Sequence, residues 1–294
     1  MKLIDCITAQ AARLKSAGVS FGHGTTNAFD EAAWLVLWAL GMPLDELEPH
    51  AKRELTDAEL TKIDAVITER IDTRRPAAYI TKEAWLQNVP FYIDERSIVP
   101  RSFIAELLAD GEGEGTLDSW LSDRTQRVLD LCTGNGSLAV IAAMAYPEVT
   151  VDAADISDDA LAIAKMNIDK HKLAKRITLV KSDLLNDLQG PYDLIVCNPP
   201  YVNTQSMREL PKEYLHEPQL ALAGGEDGMD LVRRILKDAP SRMSDIGVLV
   251  LEIGNERPHF EHAFRKLEVA WLDTSAGDDQ VLLVTRDALV KWAR

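Results

Sequence analysis

Apolar residues at Leu3, Ile4, Ile7, Ala11 and Leu14 recur at helical spacing and predict an opening helix. A second helix is expected from Asp30 to Leu40, with Gly41 and Pro43 as stop signals. A third begins at Thr56, where Glu59 three positions on completes a capping box. Its apolar stripe is Leu60, Ile63, Ile67 and Ile71, and Pro76 ends it. Together these segments predict a small helical domain over residues 1–80.

The period then changes. In AWLQNVPFYIDERSIVP (84–100), Trp85, Phe91, Tyr92, Ile93, Ile98 and Val99 suggest strands around a turn near Asn88. This predicts a β-hairpin linker over 81–100. A helix is expected from Ser102 to Ala109, followed by a loop containing the short tract GEGEG at 111–115. From Arg127 onward strands and helices alternate. Apolar runs at 127–131, 149–154, 176–180, 192–197 and 246–252, with weaker ones near 267–271 and 279–285, predict seven strands. Alternation of this kind predicts an α/β domain over 101–294 with a mostly parallel sheet covered on both faces. Ligands bind such sheets outside the carboxyl ends of the strands, where strand order reverses. The residues that end each strand are therefore the candidates for chemistry.

Composition narrows the classes. Of 294 residues, 46% are hydrophobic, which suits a chain with a substantial core. The formal net charge of −15 argues against broad phosphate neutralisation, so specific DNA binding is not expected. Cys6, Cys132 and Cys197 show no metal-ligand spacing, and no metal site is expected. Their odd number fits thiols in a reducing compartment. The opening MKLIDCITAQ has no long apolar core, and no run approaches a membrane span. A cytoplasmic protein is expected.

The first strand runs into Asp130-Leu131-Cys132-Thr133-Gly134-Asn135-Gly136. Glycines here let the backbone take positive φ and approach a ligand, although a plain turn before a helix has the same look. The second strand ends in Asp155, 19 residues after Gly136, where an acid can accept both hydroxyls of a ribose. Alone, it is equally an acidic residue at a helix N-terminus. After the third strand, Asp183 can accept from an adenine amino group, with Leu184 against the ring. The fourth ends in Asn198-Pro199-Pro200-Tyr201, where two adjacent prolines sacrifice ladder hydrogen bonds. GNGSLA matches the dinucleotide fingerprint in letter. Its turn, however, follows a longer loop, and no hydride-transfer constellation is visible. An adenosine ligand without a pyrophosphate, S-adenosylmethionine, fits better.

VLDLCTGNGSLA, Asp155, SDLL and NPPY together resemble class I S-adenosylmethionine-dependent methyltransferases that modify amino or amide nitrogen, with a Rossmann-like fold. VPRSFIAELL (99–108), EPQLALAGGEDGMDLVRRIL (217–236), VLEIGNE (250–256) and RRPAAYITKEAWLQNVPFYIDER are similar to the protein glutamine methyltransferases. FGHGTTNAFDEAAWLVLWALGMPLD (21–45) resembles the branch acting on large-subunit ribosomal protein L-three; a sister branch acts on peptide-chain release factors. Asn135 and Ser137 depart from the commoner Ser or Thr and Cys.

The resemblance implies cofactor contacts from Asp130, Cys132, Thr133, Gly134, Asn135, Gly136, Asp155, Ile156, Asp183, Leu184 and Asn198. It implies catalysis and substrate binding at Asn198, Pro199, Pro200 and Tyr201, with Arg101 and Glu217 helping to shape the glutamine pocket. It also implies substrate recognition by the helical domain. An amide nitrogen is a poor nucleophile because its lone pair is delocalised. Two acceptors, the Asn198 side-chain oxygen and the Pro199 carbonyl, would hold its N–H groups and strengthen as positive charge develops. The prolines fix one acceptor in advance. Adenine presents a similar planar amino group, so NPPY alone leaves a DNA substrate open. The acidic charge and the EPQLALAGG stretch favour protein. Arg70, Arg74, Arg75 and Lys82 form the only notable basic grouping, a solvated helix end or a contact near ribosomal RNA.

Overall fold

The computed structural model describes residues 1–109 and 117–294. The GEGEG tract lies outside the described residues. Five helices open the chain: α1 (Leu3–Ser16), α2 (Ala28–Leu40), α3 (Leu47–His50), α4 (Asp57–Thr73) and α5 (Ala77–Thr81). Helix α2 starts two residues before the expected Asp30 because Asn27 caps it, accepting from the Phe29 and Asp30 amides. Gly41 ends it at φ 66°, a left-handed conformation that suits glycine. Thr56 and Glu59 form both bonds of the capping box on α4. Leu3, Ile7, Leu14, Leu35, Leu37, Ile63 and Ile67 turn inward to one core, which Tyr79, Ile93, Val99 and Ile163 join from later in the chain. Trp34 is buried in it, while Trp38 is 37% exposed. Helix α5 was not legible as a separate element, since AAYIT is too short to show a period.

Strands β1 (Glu83–Leu86) and β2 (Val89–Tyr92) form the hairpin around Gln87 and Asn88, both at positive φ. Ile98 and Val99, expected as strand, lie outside it. The remaining elements are α6 (Ile104–Ala109), β3 (Arg127–Leu131), α7 (Ser137–Ala145), β4 (Thr150–Asp155), α8 (Asp158–Lys170), β5 (Ile177–Lys181), β6 (Tyr192–Cys197), α9 (Thr204–Glu209), α10 (Asp230–Asp238), β7 (Met243–Glu252), α11 (Arg257–Ala263), β8 (Ala270–Thr274), β9 (Gly277–Thr285) and α12 (Arg286–Trp292).

Seven strands form one sheet in the order β5-β4-β3-β6-β7-β9-β8. The pairings from β5 to β7 are parallel, and β9 runs antiparallel to β7 and β8. Val128, Val196 and Val250 enter the core on one face, while Leu129, Ile195 and Leu249 enter the other. Both faces are therefore covered, which is why these strands read as apolar runs rather than alternating ones. Strand β3 lies between β4 and β6, so the winding direction reverses there. A crevice opens outside the carboxyl ends of the strands at that point.

Candidate active site

A cavity of about 310 Å³ occupies this crevice. Cys132 and Gly134 reach its wall from the end of β3, Asp155 and Ile156 from β4, Asp183 and Leu184 from beyond β5, and Asn198 and Pro200 from beyond β6. Residues that are far apart in sequence thus meet at one place, as the strand-end argument requires.

The turn after β3 is built to let backbone approach the cavity. Cys132, Gly134 and Gly136 all have positive φ, at 62°, 55° and 79°. A side chain on Gly136 would place its Cβ 3.0 Å from that of Ala164 on α8, so the helix packs against bare backbone here. The Gly134 amide donates to Asp155 Oδ2 at 2.9 Å, and the Ser157 amide donates to Oδ1 at 2.9 Å. These bonds aim the carboxylate at the cavity, while burial raises its pKa. Ile156, 48% exposed, stands beside it as apolar surface for a planar ring. Asp183 also faces the cavity, and Arg234 on α10 donates to its Oδ2 at 2.7 Å.

Asp130, Thr133, Asn135 and Gly136 are not brought to the wall. Asp130 is fully buried beneath the turn, accepting from the Thr133 hydroxyl and the Ala139 amide, and burial pushes its carboxyl up to about 7. Asn135 donates to the Ile98 carbonyl at 2.8 Å and accepts from the Ser137 amide at 3.0 Å. These side chains hold the turn from behind. So does Asn167 on α8, which sequence reading missed: its Nδ2 donates to the Asn135 and Tyr92 carbonyls, and its Oδ1 accepts from the Tyr92 amide. One buried amide thereby locks the hairpin to the turn after β3. Its signal was weak, since a single Asn in a helix resembles any solvent-facing polar residue.

Tyr201 also lies off the wall, in a nest made by glycines. A Cβ on Gly254 would sit 2.5 Å from Tyr201 Cε2, and one on Gly224 would sit 2.6 Å from its Cα. The hydroxyl points at Glu252 Oε1, 3.4 Å away. Glu252, at the end of β7, accepts from Ser102 Oγ at 2.6 Å and from the Phe103 amide at 2.9 Å. Burial pushes its carboxyl up to about 7. Pro199 is buried and Asn198 half-buried, so the turn is fixed while its polar group faces the cavity.

Arg101 and Glu217 act as one unit. The guanidinium donates to both carboxylate oxygens at 2.6 and 2.7 Å, and the Val99 amide donates to Glu217 at 3.0 Å. Burial pushes the Glu217 carboxyl up, but the adjacent Arg101 charge outweighs this and brings it down to about 2. Neither residue lines the cavity; their neighbours do. Ser97 and Ile98 stand on one side of the fork, and Pro218, Leu220 and Ala221 on the other. The pair clamps the two walls together.

The basic grouping is committed internally. Arg70 is fully buried, donating to Glu31 at 2.8 Å, Glu213 at 3.3 Å and the Ser20 carbonyl at 2.9 Å. Arg74 donates to the Ala17 and Gly18 carbonyls, Arg75 to Glu69 and Glu95, and Lys82 to Glu95. The reading as a solvated helix end is corrected for Arg70, which is buried; four carboxylates and backbone carbonyls hold the group, with Arg74, Arg75 and Lys82 half-buried. Among the described residues, no cluster of three or more His, Cys, Asp or Glu is arranged to hold a metal ion. No helix there is long and apolar enough to cross a membrane.

The cavity suits S-adenosylmethionine: bare backbone at Gly134, an acid held by amides, and apolar Ile156 and Leu184 are donors and surfaces for an adenosine. Comparison with known proteins agrees. Residues 112–225 match the methyltransferase small domain, and residues 6–81 match the PrmC N-terminal domain. A ribosomal protein uL3 glutamine methyltransferase of Bordetella pertussis is 51% identical over 98% of this chain and 96% of its own. The protein of that name from Neisseria meningitidis serogroup B is 47% identical over 97% of this chain and 93% of its own. The solved hMettl16 catalytic domain, in complex with MAT2A 3′UTR hairpin 6, shares the fold at a TM-score of 0.51 and 15% identity, over 78% of this chain and 81% of that one. With S-adenosylmethionine as its methyl donor, the chain belongs to the family of ribosomal protein uL3 glutamine methyltransferases.

Proposed function

We infer that this enzyme methylates the side-chain amide nitrogen of a glutamine in ribosomal protein uL3. Asn198 carries the reading: it is the amide-accepting side chain that stands on the same cavity wall as Gly134, Asp155 and Asp183. In this reading Cys132, Gly134, Asp155, Ile156, Asp183 and Leu184 hold the cofactor, and Asp130, Thr133, Asn135 and Gly136 support them. When bound, S-adenosylmethionine supplies a methyl group activated on a sulfonium.

The Asn198 side-chain oxygen accepts one N–H of the substrate amide, and the Pro199 carbonyl accepts the other. Both acceptors turn the nitrogen lone pair toward the donor and gain strength as nitrogen becomes positive. Pro199 and Pro200 fix the acceptor before substrate arrives, which limits reorganisation. Tyr201, behind the wall, anchors this turn through Glu252 and the glycine nest. No strong base is needed beforehand, since the amide proton becomes acidic only after transfer.

The reading assigns substrate recognition to residues 1–80, linkage to the hairpin region 81–100, and methyl transfer to 101–294. The −15 charge supports a protein acceptor over DNA. With Arg70, Arg74 and Arg75 committed internally, the reading requires no contact with ribosomal RNA. Action on a newly made ribosomal protein would place the enzyme in the cytoplasm. Labelled methyl transfer into isolated uL3, release factor and duplex DNA tests the substrate. Label on a glutamine of uL3 alone is expected; label confined to release factor or DNA refutes the target. In the same assay Asn198→Ala should abolish most turnover while sparing cofactor affinity, and Asp155→Ala should weaken cofactor binding. Equal loss of cofactor binding in both would contradict the assigned roles.

A further inference from the structure

The FGHG turn, which the catalytic account does not use, packs behind the cavity wall against Glu217 and Tyr214. His23 is 1% exposed. Its ring packs on Tyr214 with centroids 4.4 Å apart, and the Arg101 guanidinium sits 5.4 Å from the same Tyr214 ring. Its Nε2 lies 3.5 Å from Glu217 Oε2. That is ion-pair range but too long for a good hydrogen bond, and neither ring nitrogen has a hydrogen-bond partner among the described residues.

The turn is shaped for this contact. Gly22 and Gly24 take φ of 129° and 103°, and the Gly22 amide donates to the Thr25 carbonyl at 2.8 Å. A Cβ on Gly22 would come within 3.3 Å of the Tyr214 hydroxyl, and one on Gly24 within 3.3 Å of Trp34. Beside the turn, Arg70 joins Glu31 of α2 to Glu213, and the Ser20 amide also donates to Glu213. The N-terminal segment thus holds Glu213 through Arg70 and the Ser20 amide, while His23 faces Glu217, which Arg101 and the Val99 amide bind. Directly beyond Glu217 stand Pro218, Leu220 and Ala221 on the cavity wall, and Leu215 and Leu220 are 68% and 61% exposed.

We propose that His23 is a positioning residue for the protein substrate, holding Glu217 and Tyr214 so that segment 215–221 presents its exposed leucines to the acceptor beside Asn198. This deepens the function inferred above and rests on it. His23 touches no reacting atom, so its contribution falls on acceptor binding rather than on the methyl-transfer step. A ring without polar nitrogens would keep the stack on Tyr214 and lose the polar edge that faces Glu217. An amide side chain would keep a donor for Glu217.

The test is steady-state methyl transfer to isolated uL3 by full-length enzyme carrying His23→Phe, His23→Gln or His23→Ala, with cofactor affinity measured by calorimetry. His23→Phe should raise KM for uL3 about tenfold, equivalent to ~1.4 kcal/mol, with kcat and cofactor affinity within about twofold of wild type. His23→Gln should recover most of that loss. A wild-type KM in His23→Phe overturns the proposal. So does a parallel loss of kcat and cofactor binding that His23→Gln fails to recover, because a merely structural role predicts that pattern. If His23→Ala does not fold, the other two variants carry the test. Absence of methylation of uL3 by the wild-type enzyme is a separate result. It refutes the substrate reading and removes this inference with it.

Discussion

Gly254→Ala tests the claim that Tyr201 is placed by backbone packing. The added Cβ would lie 2.5 Å from Tyr201 Cε2 and 2.9 Å from Cζ. Carbon atoms in contact stand about 3.5–4.0 Å apart, so the ring must retreat by about 1 Å or the chain must yield. Gly254 also has φ 53°, where a side chain costs about 1–2 kcal/mol. Overpacking adds about 1–3 kcal/mol, giving roughly 2–5 kcal/mol of lost stability. Tyr201 directly follows the Asn198-Pro199-Pro200 turn, and a misplacement of about 1 Å passed to that turn costs on the order of 100-fold in turnover. Gly41→Ala is the control. Gly41 has φ 66° with nothing within 4 Å of its would-be Cβ, so it carries the backbone cost alone. Urea unfolding should show Gly41→Ala losing about 1–2 kcal/mol with unchanged methyl transfer. Gly254→Ala should lose more stability and about 100-fold in kcat, measured where both variants remain folded. The reasoning fails if folded Gly254→Ala turns over within about threefold of wild type, or if Gly41→Ala loses as much activity.

Two other perturbations probe the supports of the site. Asn167→Ala removes three hydrogen bonds to backbone groups of Tyr92 and Asn135, the last of them buried. It should cost about 2–3 kcal/mol and weaken cofactor affinity more than kcat, read by calorimetry and single-turnover transfer. Glu252 governs a pH effect. Its carboxyl rises from 4.5 to about 7 on folding, so the folded state binds more protons across that window and stability falls as pH rises through it. Asp130 behaves in the same sense. Glu252→Gln should therefore flatten, without abolishing, the decline in urea midpoint between pH 5 and pH 8; an unchanged slope would remove Glu252 as its source.

The strands were legible because a sheet buried on both faces demands apolar runs, and their ends were legible because Gly134, Asp155 and Asn198 are residue types that strands do not need. Thr56 and Glu59 fixed the start of α4 through purely local chemistry. What sequence could not supply was partnership at a distance. Arg70 looked like a solvated helix end because Glu213, which neutralises part of its charge, is 143 residues away. Asn167 and Glu252 are single polar residues whose meaning depends on which backbone meets them after folding. Ile98 and Val99 carried strand character, yet the Ile98 carbonyl was committed to the Asn135 side chain rather than to a ladder. Asp130 read as a ligand group because it borders the glycine turn, but the strand pleat turns it into the interior.

The Arg70 network bears on how such enzymes can be recombined. Glu31 and Arg70 belong to the opening helices, while Glu213 lies in the connection between β6 and β7. A chimera that exchanges the helical segment at a boundary near residue 80 would inherit two members of a buried charge group and lose or mismatch the third. Exchanging the helical segment between branches of the family therefore calls for the segment around 213–217 to travel with the helices. The unit of exchange is defined by shared buried charge rather than by contiguous sequence.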